Sequence, residues 1–498
     1  MLQNDSDCLY FTLMKKLFII LFPAILGVGC GHIPRTLWYN FPSVKDNRIF
    51  KEAKIQPSGD PVPYILNNQG LPPTREWVWS KDTILPRYAE DFLRKSGTDA
   101  FVVLRQDTVI FEYYDKKMGP KEALSSNSVA KAIISTLTGI AWKQGFIRSI
   151  DQPVLSYLPE LKGKISSQLK IRDLLQMTAG LNFSESYLNP FSTIAHLYYT
   201  RHSERMMRKI RQREMPGTEF EYLSANYWLL TRIIEKATRQ PIDQFTQKEL
   251  WEPLGMPDGA SWSLDRENGL AKGFTGFNTT ARALARIGQL YLLGGNWEGT
   301  QILPTAWVET VQQQDTTRGA SSFYKLGWFP SSSGDYYYAA GMFYQFLFIH
   351  PASNTVIVRL GDDPDTKTDW IATFRALSGQ RPKPQPLPLA PGQEFLFNGD
   401  FRFGTSNLGD STLNGRIITV AAQKKKESLK IWIKKDPKSV RKLGNQVPKM
   451  KKFYAWRKEE VEFYDPKTYR TLVFSTYGDS ITWKREGISW QLDRIRRR

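Results

Sequence analysis

A serine and a lysine stand three residues apart at the head of an apolar stretch. Ser128 and Lys131 are followed by residues 132–142, which carry no charged side chain. In a helix, the i, i+3 spacing places both side chains on one face, one turn apart. The unpaired N–H groups of the first turn can stabilise an oxyanion beside Ser128. A desolvated lysine can take the proton of a neighbouring serine, so the pair predicts a nucleophile with its base.

The same spacing occurs elsewhere in the chain, so the spacing alone carries little weight. It recurs at Ser167 and Lys170, at Ser322 and Lys325, and at Ser439 and Lys442. Of these matches, only Ser128 opens a long uncharged stretch, which is typical of a buried helix. Burying a lysine costs free energy unless the lysine has a chemical task. We therefore expect the catalytic pair at Ser128 and Lys131.

Several motifs in a fixed order resemble one protein family. They are Ser-Val-Ala-Lys at 128–131 and the segments 171–181, 216–227, 278–282 and 339–342. Together they resemble the serine hydrolases related to class C β-lactamases and penicillin-binding proteins, which include esterases and 6-aminohexanoate-oligomer hydrolases. The resemblance covers about residues 75–380. It implies an α+β, β-lactamase/transpeptidase-like fold with an antiparallel sheet flanked by helices and a helical subdomain. It also implies hydrolysis of an ester or amide through an acyl-enzyme.

The family's second motif, Tyr-x-Asn or Tyr-x-Ser, matches Tyr222-Leu223-Ser224. The Ser form resembles the nylon-oligomer hydrolase branch. A cationic Lys131 beside Tyr222 is expected to lower the pKa of the phenol, which could then relay the proton of Ser128 to the leaving group. Tyr222 could instead be an aromatic residue that packs a helix start. Ser224 is a candidate substrate-binding hydrogen-bond donor, or the N-cap of a helix from Ala225.

The family's third motif, Lys-Thr-Gly or His-x-Gly, matches Ala339-Ala340-Gly341. Gly341 suits close approach of the backbone to a substrate. The resemblance implies an oxyanion hole made by the amides of Ser128 and Met342. Ala339 replaces the cation that holds a substrate carboxylate in lactamases and cell-wall peptidases. We therefore favour a carboxylesterase or a nylon-oligomer-hydrolase-like amidase that acts on a substrate without that carboxylate.

Two other functions stay open, and other kinds of site are disfavoured. A penicillin-recognising β-lactamase or DD-peptidase would be acylated by β-lactams despite Ala339, and a catalytically silent envelope lipoprotein would use the same pocket to bind a ligand. The chain has no Gly-x-Ser-x-Gly elbow. Its four histidines, His32, His196, His202 and His350, show no zinc-binding spacing. The expected partner is a small ester or amide, and no metal or organic cofactor is required.

The first thirty residues have the pattern of an export signal. Lys15 and Lys16 precede an apolar run from 17 to 29, which is short of the about 20 residues that span a membrane. The run ends at Cys30, as in the lipobox of bacterial lipoproteins, although Leu26 stands four positions before the cysteine instead of three. We expect lipidation of Cys30 and a location in the bacterial cell envelope. An ordinary cleaved signal or an uncleaved anchor is the alternative, and Met14 is an alternative start.

Composition describes a folded protein with a strongly basic end. The 498 residues are 41% hydrophobic, which excludes a disordered chain. The formal charge of +19 is concentrated in the basic runs 424–426, 449–452 and 494–498. Such a surface can meet nucleic acid, anionic lipid or an acidic polymer. Because no nucleic-acid motif is visible, we expect no nucleic-acid partner and favour a solvated basic face beside an anionic membrane.

Five segments are predicted. They are an export signal (1–30), an extended tether or strap (31–74), the β-lactamase-like domain (75–380), a Pro-rich linker (381–394) and a basic, β-rich C-terminal module (395–498). Within the domain, strands are predicted at 100–105, 108–114, 336–349 and 354–360. Helices are predicted from Ser128, over 171–181 with a stop at Gly180, and over 192–212, 225–238, 243–251 and 279–293. The sequence does not indicate the oligomeric state.

Overall fold

The computed structural model describes residues 32–39, 42–67, 89–116, 118–187, 189–362 and 368–379, together with strands between 395 and 494. The predicted export signal, its Cys30 and the Pro-rich linker lie outside the described residues. The described residues fall into two compact units, one before Arg381 and one after it. We call them the first unit and the second unit.

The first unit combines helices with two main sheets. Its helices are α1 (His32–Tyr39), α2 (Ala89–Lys95), α3 (Ala130–Lys143), α4 (Ile171–Leu175), α5 (Thr193–Tyr199), α6 (Ser224–Thr238), α7 (Ile242–Thr246), α8 (Ala281–Leu292), α9 (Thr305–Gln312) and α10 (Trp370–Leu377). Its strands are β1 (Lys51–Ile55), β2 (Ile65–Leu66), β3 (Thr98–Arg105), β4 (Thr108–Tyr114), β5 (Leu124–Ser125), β6 (Ala260–Leu264), β7 (Phe277–Thr279), β8 (Asn296–Trp297), β9 (Thr300–Gln301), β10 (Phe329–Pro330), β11 (Tyr337–Gly341), β12 (Gln345–His350) and β13 (Thr355–Gly361).

The larger sheet has seven strands in the order β10-β11-β12-β13-β3-β4-β2. Neighbouring strands in this sheet run antiparallel, except that β2 runs parallel to β4. Alternate residues of β3 enter different cores, as the two-residue period of a strand requires. Phe101 and Val103 pack with Trp370 of α10. Val102 and Leu104 pack on the opposite face, in the larger cluster that includes residues of α3 and α8. The predicted fold class is confirmed.

A smaller sheet joins the N-terminal segment to the chain just before Ser128. Its order is β1-β6-β7-β5. The segment predicted as extended therefore contains α1 and two short strands, of which β1 pairs with β6 and β2 with β4. Residues between α1 and β1 also hold β5, because Ser125 N donates to Val44 O at 2.7 Å. This part of the chain packs as a strap against the rest of the first unit.

Several predicted elements match the structure. Strands β3 and β4 are joined by Gln106 and Asp107, whose φ angles of 47° and 63° are those of a tight hairpin turn. The helices predicted at 225–238 and 279–293 are α6 and α8. The strand predicted at 354–360 is β13.

Other predicted elements were too long. The helix predicted over 171–181 ends at Leu175, because Met177 has a φ of 61° and the chain leaves the helix before Gly180. The helix predicted over 192–212 is divided into two elements, α5 and a 3-10 turn, Ser203–Arg208. The helix breaks at Thr200, whose backbone is extended. The helix predicted over 243–251, by contrast, has the predicted length, because α7 continues directly into a π turn, Gln247–Trp251.

The strand predicted over 336–349 is also divided. It forms β11 and β12, which pair antiparallel. Phe343 and Tyr344, with φ angles of 59° and 63°, turn the chain between them. Periodicity alone did not reveal this break, because the turn contains no Gly, Pro or Asn to mark it.

The second unit is an antiparallel sheet. Its strands are β14 (Phe395–Ser406), β15 (Ile417–Lys425), β16 (Ser428–Lys434), β17 (Tyr454–Ala455), β18 (Glu460–Asp465), β19 (Arg470–Tyr477), β20 (Ser480–Arg485) and β21 (Ile488–Arg494). They lie in the order β16-β15-β14-β21-β20-β19-β18-β17. In its described residues the second unit consists of strands, as predicted for the C-terminal module, and its function remains a prediction.

Candidate active site

Ser128 lies in a tight turn between a strand and a buried helix. The turn is a 3-10 turn, Asn127–Val129, and α3 begins at Ala130. Asn127 has a φ of 47°, which redirects the chain after β5. Ser128 therefore precedes the regular helix instead of lying inside it, and its side chain is partly exposed. Lys131, one turn on, has 1% of its surface exposed.

The structure brings Lys131 and Ser128 together. Lys131 Nζ donates to Ser128 Oγ at 2.9 Å and to the backbone carbonyl of Phe274 at 2.8 Å. Burial lowers the pKa of Lys131 to about 8, against a smaller opposing effect of Glu185. A lysine with this pKa is neutral in a useful fraction of molecules near neutral pH, so it can accept the proton of the serine. The hydrogen bond to Phe274 O helps to orient the Lys131 amine toward the Ser128 hydroxyl.

Tyr222 lies beside Ser128 and Lys131, but its pKa is raised and not lowered as expected. Lys131 Nζ lies 5.0 Å from the centroid of its ring. Burial raises the pKa of Tyr222 well above its usual value, and a hydrogen bond with the Ser128 side chain only partly opposes this. The expectation that Lys131 lowers this pKa was wrong, because desolvation of the phenolate dominates. Tyr222 is thus a neutral phenol near pH 7, suited to donate a proton.

Ser224 faces a carboxylate that sequence reasoning missed. It is the first residue of α6, Leu223 is the N-cap, and the side chain is fully buried. Both its N–H and its hydroxyl donate to Glu185, at 2.9 and 2.5 Å. Ser224 is therefore not the N-cap of α6, and its hydroxyl donates its hydrogen bond to Glu185.

Glu185 itself lies in a segment without a motif, so no sequence signal marked it. Burial raises the pKa of this carboxyl, and the nearby Lys131 lowers it by less. The Glu185 charge in turn raises the pKa of Lys131. Glu185 therefore influences how readily Lys131 gives up its proton, although it makes its hydrogen bonds to Ser224.

Gly341 lies against the backbone of the turn that carries Ser128. A Cβ at this position would lie 2.8 Å from Ser126 O and 2.9 Å from Ser128 N. Only glycine fits this contact without a shift of backbone. The next residue is tied to the same turn, because Asn127 Nδ2 donates to Met342 O at 3.1 Å. The structure thus brings Gly341 and Met342 beside Ser128.

Ala339 contributes no charge to this region. Its side chain is fully buried, and it shares a face of β11 with Gly341, two residues on. The cation that the family's third motif supplies in lactamases is therefore replaced here by a methyl group in the core.

Three further aromatic side chains form a contiguous cluster with Tyr222. Tyr324 lies edge-on to Tyr222 at 5.8 Å, and Phe220 lies 5.6 Å from Tyr324 and 5.2 Å from Phe323. Phe220 and Phe323 are partly exposed. We call these four residues the aromatic wall. Sequence reasoning missed it, because its members come from segments about 100 residues apart.

The loop that carries Phe323 and Tyr324 is held by an internal ion pair, by an ion pair to α4 and by a hydrogen bond from the residue after α4. Asp315 accepts from Lys325 and from Gln176 Nε2, the latter at 2.6 Å, and Arg318 pairs with Asp173 at 3.3 Å. These contacts fix the loop that carries Phe323 and Tyr324.

Two other Ser-x-x-Lys matches differ from the pair of Ser128 and Lys131. Lys325 is paired with Asp315, and Lys170 lies 3.6 Å from Asp151. In both, the lysine amine is engaged by a carboxylate, whereas Lys131 Nζ donates to the serine of its own match. The third match, at Ser439 and Lys442, lies outside the described residues. In the part of the chain that the structure describes, no cluster of three His, Cys, Asp or Glu side chains could hold a metal ion.

The fold, and the contact of a partly exposed serine with a buried lysine, are those of a serine hydrolase. The family model described as Beta-lactamase matches residues 87–378. The chain therefore belongs to the Beta-lactamase family, and it is a hydrolase of amide or ester bonds.

Relatives within this family differ in the reactions for which they are named. The chain is 29% identical over 306 residues to 6-aminohexanoate-dimer hydrolase of Paenarthrobacter ureafaciens, covering 56% of this chain and 76% of that protein. A shorter match, 27% identical over 117 residues, is to a proposed D-alanyl-D-alanine carboxypeptidase of Escherichia coli (strain K12), covering 21% of this chain and 26% of that protein. A proposed 6-aminohexanoate-dimer hydrolase of Bacillus anthracis shares the fold at 20% identity and a TM-score of 0.56, covering 67% of this chain and 91% of that one.

Proposed function

We propose that Ser128 is the nucleophile and that Lys131 is its base. The observation that carries this proposal is the 2.9 Å contact between Ser128 Oγ and a Lys131 Nζ that burial has made less basic. Ser128 Oγ bonds to the carbonyl carbon while its proton passes to neutral Lys131. The amides of Ser128 and Met342 receive the negative charge of the tetrahedral oxygen. Gly341 supports this role of Met342, because it lets β11 lie against the turn.

Tyr222 then protonates the leaving group. A phenol with a raised pKa keeps its proton until an alkoxide or amine anion develops nearby. As the bond from the carbonyl carbon breaks, that proton passes from Tyr222 to the leaving oxygen or nitrogen, and Tyr222 is reprotonated from Lys131. Water then attacks the carbonyl carbon of the acyl-enzyme, and its proton passes through Tyr222 to Lys131. Lys131 returns a proton to Ser128 Oγ as the ester bond to the serine breaks and the acid is released.

The preferred substrate is an ester or secondary amide without a carboxylate next to the scissile bond. Ala339 offers no cation to such a group, and the Glu185 carboxylate would repel it when ionised. The aromatic wall supplies apolar surface beside Tyr222. One relative is named for the 6-aminohexanoate dimer, which supports testing linear amides as well as esters.

A matched pair of substrates tests this preference. We expect p-nitrophenyl butyrate to be hydrolysed at least tenfold more efficiently, in kcat/KM, than the p-nitrophenyl monoester of succinate, which is similar in size but carries a carboxylate. Equal efficiency, or preference for the succinate ester, would refute the proposed selectivity. Hydrolysis of benzylpenicillin would instead favour the penicillin-recognising function. The linear 6-aminohexanoate dimer, assayed by amine release, decides whether secondary amides are accepted.

We also propose that the protein is exported and anchored to the bacterial envelope membrane through Cys30. The apolar run before this cysteine supports the proposal. Labelling of cells with an alkyne fatty acid should mark the wild-type protein and not Cys30→Ser. An unlabelled wild-type protein would contradict lipidation, and its size would distinguish a cleaved signal from an uncleaved anchor.

A further inference from the structure

The helix α1 begins two residues after Cys30 and ends in exposed aromatic residues. Trp38 and Tyr39 have 66% and 38% of their surface exposed. Tryptophan and tyrosine are favoured at membrane interfaces, where an apolar ring and a polar group are both accommodated. Whether Cys30 is lipidated or the preceding run is an uncleaved anchor, α1 would start at the membrane. Within the described residues, no helix is long and apolar enough to cross a bilayer.

This helix is fixed to the folded domain. The ring of Tyr39 stacks on Tyr199 of α5 at 6.3 Å. Arg35 donates to the backbone carbonyls of Tyr199 and Ile49, each at 3.3 Å. The guanidinium of Arg35 also lies 5.6 Å from the centroid of Phe50. Because these contacts come from two segments, α1 presents its aromatic end in a fixed orientation.

A run of positive charge begins where α5 ends. The exposed basic side chains in it are Arg201, Arg205, Arg208, Lys209 and Arg211. The ion pairs found among the described residues include none of these five. Glu204, the acidic residue of the run, pairs with Arg266 at 2.9 Å. The run therefore keeps its positive charge available to a partner.

The basic run and α1 lie close together. Tyr199 contacts α1 and is followed within two residues by Arg201. Burial lowers the pKa of Arg35, and the positive charge of Arg201 lowers it further. The exposed aromatic end of α1 thus lies against the helix that leads directly into the basic run, and α1 follows Cys30 closely in sequence.

We propose that Trp38, Tyr39 and the basic run form one contact surface for a bilayer rich in anionic phospholipid. This inference rests on the proposed location in the envelope and not on the proposed catalytic mechanism. A single acyl chain binds membranes only weakly and reversibly, and a basic surface is a common second signal. Contact through this surface would also orient the first unit on the membrane, which a flexible lipid tether alone cannot do.

The test uses the chain from residue 30 with Cys30→Ser, which is the proposed mature protein without its lipid. Co-sedimentation is measured with vesicles of phosphatidylcholine alone and with 30% phosphatidylglycerol, at 0.1 and 0.5 M NaCl. We expect binding to the anionic vesicles at low salt, and at least fivefold less binding on neutral vesicles or at high salt, because electrostatic attraction is screened.

Variants locate the contact. The triple change Arg201→Ser, Arg205→Ser and Arg208→Ser should weaken binding to anionic vesicles at least tenfold, and Trp38→Ala about threefold. The matched control, Arg148→Ser, Lys236→Ser and Lys248→Ser, removes three exposed charges from other elements and should weaken binding less than twofold. Equal loss in both triple variants would overturn the proposal, because net charge and the basic second unit would then explain binding. Binding to neutral vesicles as strong as to anionic ones would also overturn it.

Ester hydrolysis by the same preparations separates this inference from the proposed function. Neither triple variant changes a residue placed in the catalytic machinery, so both should hydrolyse p-nitrophenyl butyrate within twofold of wild type. If the triple variant at Arg201, Arg205 and Arg208 hydrolyses the ester normally and still binds anionic vesicles as wild type does, only the proposed membrane-contact surface is rejected. Loss of hydrolysis in wild type would reject the proposed function alone.

Discussion

Glu185 accepts two hydrogen bonds from Ser224, one from the backbone N–H at 2.9 Å and one from the hydroxyl at 2.5 Å. This pairing anchors a carboxylate close enough to Lys131 to raise the pKa of the lysine, while burial lowers it. The two effects act in opposite directions on one proton. The reactivity that we propose for Ser128 therefore depends on residues from three separate segments of the chain.

The activity should rise with pH as Lys131 loses its proton. The neutral amine is the active base, and the pKa of Lys131 is lowered to about 8. We expect kcat/KM for p-nitrophenyl butyrate to increase tenfold per pH unit below that value and to level off above it. Tyr222 should not interrupt the plateau below about pH 10, because its pKa is raised. A rate independent of pH between about 6 and 9 would contradict a lysine base.

Removing the Glu185 charge should move this pH profile. In Glu185→Gln the lysine loses the negative charge that raises its pKa, so the rising limb should shift to lower pH. Ser224→Ala is the matched control, since it removes the hydroxyl donor but keeps the carboxylate. A shift to higher pH in Glu185→Gln, or an equal acid shift in both variants, would show that Glu185 acts only by holding Ser224.

Tyr222→Phe should impair catalysis in proportion to the leaving group's need for a proton. We expect about a 10²–10⁴-fold loss of kcat for an ethyl ester, as for other general acids. The loss should be at least tenfold smaller for a p-nitrophenyl ester, whose leaving group departs without protonation. Equal losses on both esters would indicate that Tyr222 only packs the site. Near-ultraviolet circular dichroism checks that the fold is retained.

Gly341→Ala should disturb the turn that carries Ser128. The new Cβ would lie 2.9 Å from Ser128 N and 2.8 Å from Ser126 O, both of which are backbone atoms with little room to move. We expect a loss of about 1–3 kcal/mol in the free energy of unfolding and at least a 100-fold loss of kcat. Gly119→Ala is the control, because its Cβ would meet no atom within 4 Å. Denaturant unfolding and ester hydrolysis measure both effects, and an active Gly341→Ala enzyme would refute the close approach.

Sequence predicted the parts of the site that depend on local order. Ser128 and Lys131 are one turn apart, so their contact follows from spacing and from the uncharged stretch after them. Tyr222 and Gly341 were found through motifs in a family order. In each case a short segment carried the information.

The remaining parts depend on tertiary contacts that no local pattern encodes. Phe274 O, which receives Lys131, is 143 residues away in the chain, and any residue type offers a backbone carbonyl. Glu185 is one carboxylate among many until folding buries it beside Ser224. The direction of the pKa shift of Tyr222 was wrongly predicted, because the number of protein atoms around a phenol is unknown before the fold is.

Covalent labelling of Ser128 tests the central claim most directly. The purified protein is incubated with a fluorophosphonate and its intact mass is measured, with Ser128→Ala and Lys131→Met as controls and benzylpenicillin in parallel. We predict one adduct on wild type, none on Ser128→Ala, and labelling at least 100-fold slower on Lys131→Met. A folded wild-type protein that stays unlabelled, or an adduct that persists in Ser128→Ala, would contradict the assignment of Ser128 as the activated nucleophile.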